Sequence, residues 1–78
     1  MTEEIQRPLD SLNEAKGKTV LVELKGGTQF VGILKAFDIH INIVLDDAQE
    51  TRGGEVERKL GRVFIRGDTI IMISPSEQ

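Results

Sequence analysis

Residues 29–45 read Gln29-Phe30-Val31-Gly32-Ile33-Leu34-Lys35-Ala36-Phe37-Asp38-Ile39-His40-Ile41-Asn42-Ile43-Val44-Leu45. The run contains no proline and one glycine, Gly32. As one strand it would far exceed the usual length of roughly five or six residues. It must bend sharply or turn back on itself, and the polar break at Asp38–His40 is the place. Phe30, Gly32, Leu34 and Ala36 share one face of an extended chain. A glycine inside such a strand marks a bend or a close approach of another backbone.

Working outward, the preceding segment also has a period of two. Val20, Val22 and Leu24 alternate with Leu21, Glu23 and Lys25, and Gly26-Gly27 supplies a hairpin turn. Ahead of it, Pro8 to Ala15 predicts one short helix: proline suits the first helical position, Leu9 and Leu12 lie three apart, and Gly17 stops it. Alone it is too short to persist in water, so it must dock. On the other side, Asp46-Asp47 is expected to end the long run, and Thr51-Arg52-Gly53-Gly54-Glu55 to form a loop. Strand character resumes from Val56 to Ile65, with Gly61 in the middle. Arg66-Gly67-Asp68 is a tight connection to a last strand, Thr69 to Ile73, which Pro75 stops. Residues 8–75 are thus one domain, with 1–7 and 76–78 expected to be flexible. About five short strands, bent at glycines, suggest a small, partly open barrel. The final strand is short, apolar and β-branched, and at an edge it would template pairing with another chain.

Composition narrows the function. A 78-residue chain buries only roughly 60% of its unfolded surface, and oligomerisation is a common remedy. With no cysteine and one histidine, disulfides are excluded and no metal site or cofactor is expected. No apolar run approaches the ~20 residues of a membrane span. The polar, acidic stretch Met1 to Asp10 is unlike a signal peptide, so the cytoplasm is the expected compartment. A net charge of -3 argues against coating nucleic acid by bulk electrostatics. Any nucleic-acid reading must therefore name particular residues.

Two constellations can carry chemistry. In Phe37-Asp38-Ile39-His40-Ile41-Asn42-Ile43, an extended backbone puts Asp38, His40 and Asn42 on one side and the isoleucines on the other. An amide that donates and accepts suits the edge of a base, and a histidine ring can stack on its face. The plainer reading is a solvated face with His40 and Asn42 closing a turn. In Ile65-Arg66-Gly67-Asp68, Gly67 allows positive φ and Asp68 can fix the planar guanidinium of Arg66, which suits base stacking and phosphate pairing. The plainer reading there is a surface ion pair in a hairpin.

In order and spacing, these pieces resemble the two signature motifs of Sm and Sm-like proteins. The first spans Thr19 to Asp47 and contains Leu24-Lys25-Gly26-Gly27, Phe30-Val31-Gly32, Phe37-Asp38-Ile39-His40-Ile41-Asn42 and Val44-Leu45-Asp46-Asp47. The second is Leu60-Gly61-Arg62-Val63-Phe64-Ile65-Arg66-Gly67-Asp68. Arg7-Pro8-Leu9-Asp10 looks like the start of the family's N-terminal helix. With its minimal tails the chain looks archaeal rather than eukaryotic, and it is unlike the bacterial host-factor type, whose second motif is built around Lys-His where this chain has Arg66-Gly67. The resemblance implies a mainly β fold: a short N-terminal helix, then a five-stranded, strongly bent antiparallel barrel. It implies a homo-oligomeric ring, heptameric in archaeal members, closed by pairing of fourth and fifth strands. It also implies uridine-rich single-stranded RNA in the pore, one base per subunit. That base would lie between His40 and Arg66, with Asn42 on its edge. Asp38 and Asp68 would act as supports, and Gly67 would sit in the turn. A secondary RNA contact would involve Arg7 and Phe37.

Two other classes compete. Catalysis lacks a nucleophile–base pair, since Asp38 beside His40 is at most half a triad, so no catalytic residue is expected. A ring that binds partner proteins instead of RNA is the alternative. Tolerance of Arg66→Ala would distinguish it, because fold alone does not decide.

Overall fold

The computed structural model describes residues 7–76. The expected flexibility of residues 1–6 and 77–78 falls outside them. At the two margins, Arg7 accepts the first helical hydrogen bonds through its carbonyl, and the Ser76 N–H donates to the Thr19 carbonyl over 3.1 Å. The element order is α1 (Pro8–Glu14), β1 (Thr19–Leu24), β2 (Gln29–Phe37), β3 (Ile43–Arg52), β4 (Glu55–Ile65), a 3-10 turn (Gly67–Thr69) and β5 (Ile70–Pro75). The helix starts with Pro8, and the Asp10 carboxylate accepts the Arg7 N–H. Its Leu12, and Ala15 at its C-cap, rest half-buried on the core, which supplies the docking a seven-residue helix needs. No helix among the described residues is long and apolar enough to cross a membrane.

The strands form one antiparallel sheet in the order β4-β3-β2-β1-β5. It is bent into an open barrel with β4 and β5 at its two free edges, so both expected edges are edges. The long run reverses as expected, with β2 and β3 pairing from Phe37↔Ile43 to Gln29↔Thr51. The core is Val20, Val22, Leu34, Ile43, Leu45, Ala48 and Ile65. Gly32 is the close approach: a Cβ there would lie 3.0 Å from the Asp46 carbonyl and 3.1 Å from Ala48 Cα.

Several boundaries differ from the sequence reading. Asp46-Asp47 does not end the run. β3 continues to Arg52 through a bulge in which Asp47 takes φ 51° and, across from it, Gly61 takes φ 78°. The register steps by one there, from Leu45↔Val63 to Ala48↔Gly61. Leu45 and Ala48, an odd number apart, both reach the core because of it. Thr51, Arg52 and Glu55 belong to strands, leaving Gly53-Gly54 as the turn. Thr69 belongs to the 3-10 turn, and Pro75 pairs with Val20 inside β5 instead of stopping the strand before it. On β4, Glu55 to Arg62 are all exposed. So are Phe64 on that edge and Ile71 and Met72 on β5.

Candidate nucleic-acid interface

The β2–β3 connection, residues 38–42, is not extended. It is a closed turn in which the Asp38 N–H donates to the Asn42 carbonyl over 3.1 Å and the Ile41 N–H to the Asp38 carbonyl over 3.0 Å. Ile41 sits at φ 61°. The expected alternation therefore fails: Ile39 is 73% exposed, Ile41 half-buried and Ile43 buried. What brings the polar groups together is hydrogen bonding. Asp38 Oδ1 accepts the backbone N–H of His40 (2.8 Å) and of Asn42 (3.2 Å), while Oδ2 accepts Asn42 Nδ2 (3.1 Å). The Asn42 amide, together with those two backbone donors, holds the Asp38 carboxyl below its ordinary range despite partial desolvation.

The second constellation meets the first through Asn42. Asn42 Oδ1 accepts the Gly67 N–H at 2.8 Å, joining turns 25 residues apart. Gly67 is required for a reason the sequence reading did not anticipate. It is not among the positive-φ glycines. Instead, a Cβ on it would overlap the carbonyl of His40 and crowd that of Ile41. Arg66 ends the β4 side of this junction. Its guanidinium donates to Asp68 Oδ2 at 3.0 Å, and its carbonyl accepts both the N–H and the hydroxyl of Thr69. The Arg66 and Asp68 side chains are 80% and 65% exposed, so the pair orients the guanidinium more than it stabilises the fold.

Asp38, Asn42 and Arg66 border one concavity, shared with Phe37 and Phe64. His40 borders a different one, with Ile41 and Gly67. Hydrogen bonds thus join Asp38, Asn42 and Gly67, with His40 held beside them through its backbone, and separately join Arg66 to Asp68. Phe37 is half-buried against the core at the same junction, whereas Arg7 lies exposed at the start of α1. Sequence reasoning passed over Ile41 and Phe64. Nothing in a lone isoleucine announces a left-handed backbone, and Phe64 looked like an ordinary strand residue. No group of three or more metal-ligating side chains occurs among the described residues.

Residues 10–75 match the family model of the LSM domain. The chain belongs to the Sm-like family. This Sm-like protein is 51% identical over 69 residues to the snRNP Sm-like protein of Methanococcoides burtonii, covering 88% of this chain and 96% of that one. To that of Archaeoglobus fulgidus it is 54% identical over 70 residues, covering 90% and 91%. Among solved structures it is similar to the Pyrococcus abyssi Sm protein in complex with a uridine heptamer. That match has 46% identity and a TM-score of 0.87, over 91% of this chain and all of the other. A heptameric archaeal Sm protein matches at 41% identity and a TM-score of 0.79, over 85% and 96%. The archaeal Sm-like type expected from the resemblance is thereby established.

Proposed function

We infer that this Sm-like protein forms a seven-membered ring that binds uridine-rich single-stranded RNA along its pore, one base per subunit. It would serve as a scaffold or chaperone in RNA metabolism. The observation that carries the reading is the state of the Asn42 amide. An amide has two acceptor lone pairs and two donor hydrogens. Gly67 takes one acceptor and Asp38 one donor, so one of each is left over. That pair complements the N3–H and O4 of uracil. Cytosine presents the reverse pattern and would need the amide turned over. Turning it would point the amide nitrogen at the Gly67 N–H and its oxygen at the Asp38 carboxylate. The lock therefore selects by leaving polar groups unpaired with the wrong base.

In this reading His40 and Arg66 stack on the two faces of the base, and Asp68 holds the guanidinium for that purpose. Phe37 borders the Asn42–Arg66 concavity, which favours a contact with the same RNA over a site shared with Arg7. The complex of the similar P. abyssi protein with a uridine heptamer supports the ligand class, and the heptameric relative supports the ring. Pairing of the free β4 edge with the free β5 edge of the next subunit would close it, covering Phe64, Ile71 and Met72. Repetition of Arg66 around one pore raises the local potential despite the net charge of -3. We assign the role to residues 8–75, in the cytoplasm, without catalysis.

Titration of fluorescent oligo(U), with oligo(C) and oligo(A) as controls and native mass spectrometry on the same sample, tests this. Stacking contributes roughly 1–3 kcal/mol per base, so Arg66→Ala should weaken oligo(U) binding at least about fivefold while the ring mass is unchanged. Undiminished binding by that variant would exclude the pore site. A closed ring that ignores all three oligomers would turn the search to protein partners.

A further inference from the structure

We propose that Ile41 is the positioning residue of the uracil site: its side chain anchors a strained turn in the one form that locks the Asn42 amide. The inference rests on the RNA reading above and adds a residue to it. Ile41 lies at φ 61°, the left-handed region that a β-branched side chain disfavours strongly. Glycine or asparagine would adopt that backbone at ease. Such a conformation persists only where the surroundings over-determine it, and here two contacts do. The Ile41 side chain packs half-buried against the core, in the groove lined by Leu12, Ile70 and Ile73. Its own carbonyl and that of His40 lie directly against Gly67, where no Cβ fits. The reversal at Ile41 is what carries Asn42 back under the Asp38 carboxylate and within 2.8 Å of the Gly67 N–H. Ile41 touches no base edge in this arrangement. It acts through Asn42, by holding one turn to the barrel.

The experiment compares wild type, Ile41→Gly and Ile41→Leu. Glycine accepts the backbone but removes the anchor, and leucine keeps an anchor of similar volume. Oligo(U) and oligo(C) affinities are measured together with hydrogen exchange at the Gly67 amide in the RNA-free ring and with ring mass. Ile41→Gly should remain a ring, exchange Gly67 at least tenfold faster, lose at least tenfold in oligo(U) affinity and narrow the U-to-C ratio. Ile41→Leu should stay within about threefold of wild type in each. An Ile41→Gly ring with wild-type exchange and a wild-type U-to-C ratio overturns the proposal. Should Ile41→Gly fail to assemble, Ile41→Ala carries the same comparison. A wild-type ring that ignores oligo(U) sinks the RNA reading alone, since Gly67 exchange still decides whether Ile41 holds the turn.

Discussion

In the proposed site, Asn42 would discriminate between bases by being unable to turn over. Its amide is gripped at the oxygen by Gly67 and at the nitrogen by Asp38, both at hydrogen-bonding distance. Asp38→Asn removes the acceptor that enforces this direction. The loss is that of one hydrogen bond accepted by an ionised carboxylate. The expected outcome is a U-to-C preference narrowed about three- to tenfold, read by parallel titrations, with the ring retained. The same carboxylate gives a pH dependence. Its pKa in the fold lies below the ordinary 3.8. The ionised form therefore holds the turn at every pH above the ordinary value, and the hold is lost as pH falls through the lower folded value. The Asn42 side-chain amide resonances should stay constant down to pH of about 4 and shift only below it. A shift centred above that point would show that Asp38 is not the group holding them. Asp46 is depressed likewise, by the Arg62 guanidinium at 2.6 Å, but it serves the β3–β4 ladder and not the site.

At the scale of elements, the site is a junction of two connections, β2 to β3 and β4 to β5. Gly67 sets how close they come. Gly67→Ala would drive a methyl into the His40 carbonyl, so the turns must part and the Asn42–Gly67 hydrogen bond must break. Overpacking of this kind costs about 1–3 kcal/mol. Chemical denaturation should register that loss, and oligo(U) affinity should fall with it. Glycines at turns were legible: Gly26-Gly27 and Gly53-Gly54 punctuate the sequence where the chain reverses. The purpose of Gly67 was not, because the atoms that exclude a side chain there belong to residues 26 and 27 positions earlier. The bulge at Asp47 was hidden for a related reason. Two aspartates look like a strand end. Only pairing with β4 across Gly61 lets the strand run on.

For the whole molecule, the open question of a lone chain is its edges. Val56, Phe64, Ile71 and Met72 are exposed on the two edge strands of a sheet whose buried apolar core, among the described residues, is seven side chains. A ring seam would bury them. Ile71→Lys places a charge in that seam while leaving the core untouched, since Ile71 is 59% exposed. It should shift the native mass from a closed ring to smaller species and abolish avid oligo(U) binding, because linked sites gain affinity through effective concentration. A closed, binding ring in that variant would place the seam elsewhere. The sequence alone determined the helix, the five strands, their hairpin order and the sticky last strand, because these follow from local periodicity and turn residues. It also named the polar residues that meet at the candidate site. The tertiary structure decided how they meet. The left-handed backbone of Ile41, the contact that requires Gly67 and the two-ended grip on Asn42 all depend on segments about 25 residues apart meeting in space, and no local pattern encodes such a meeting.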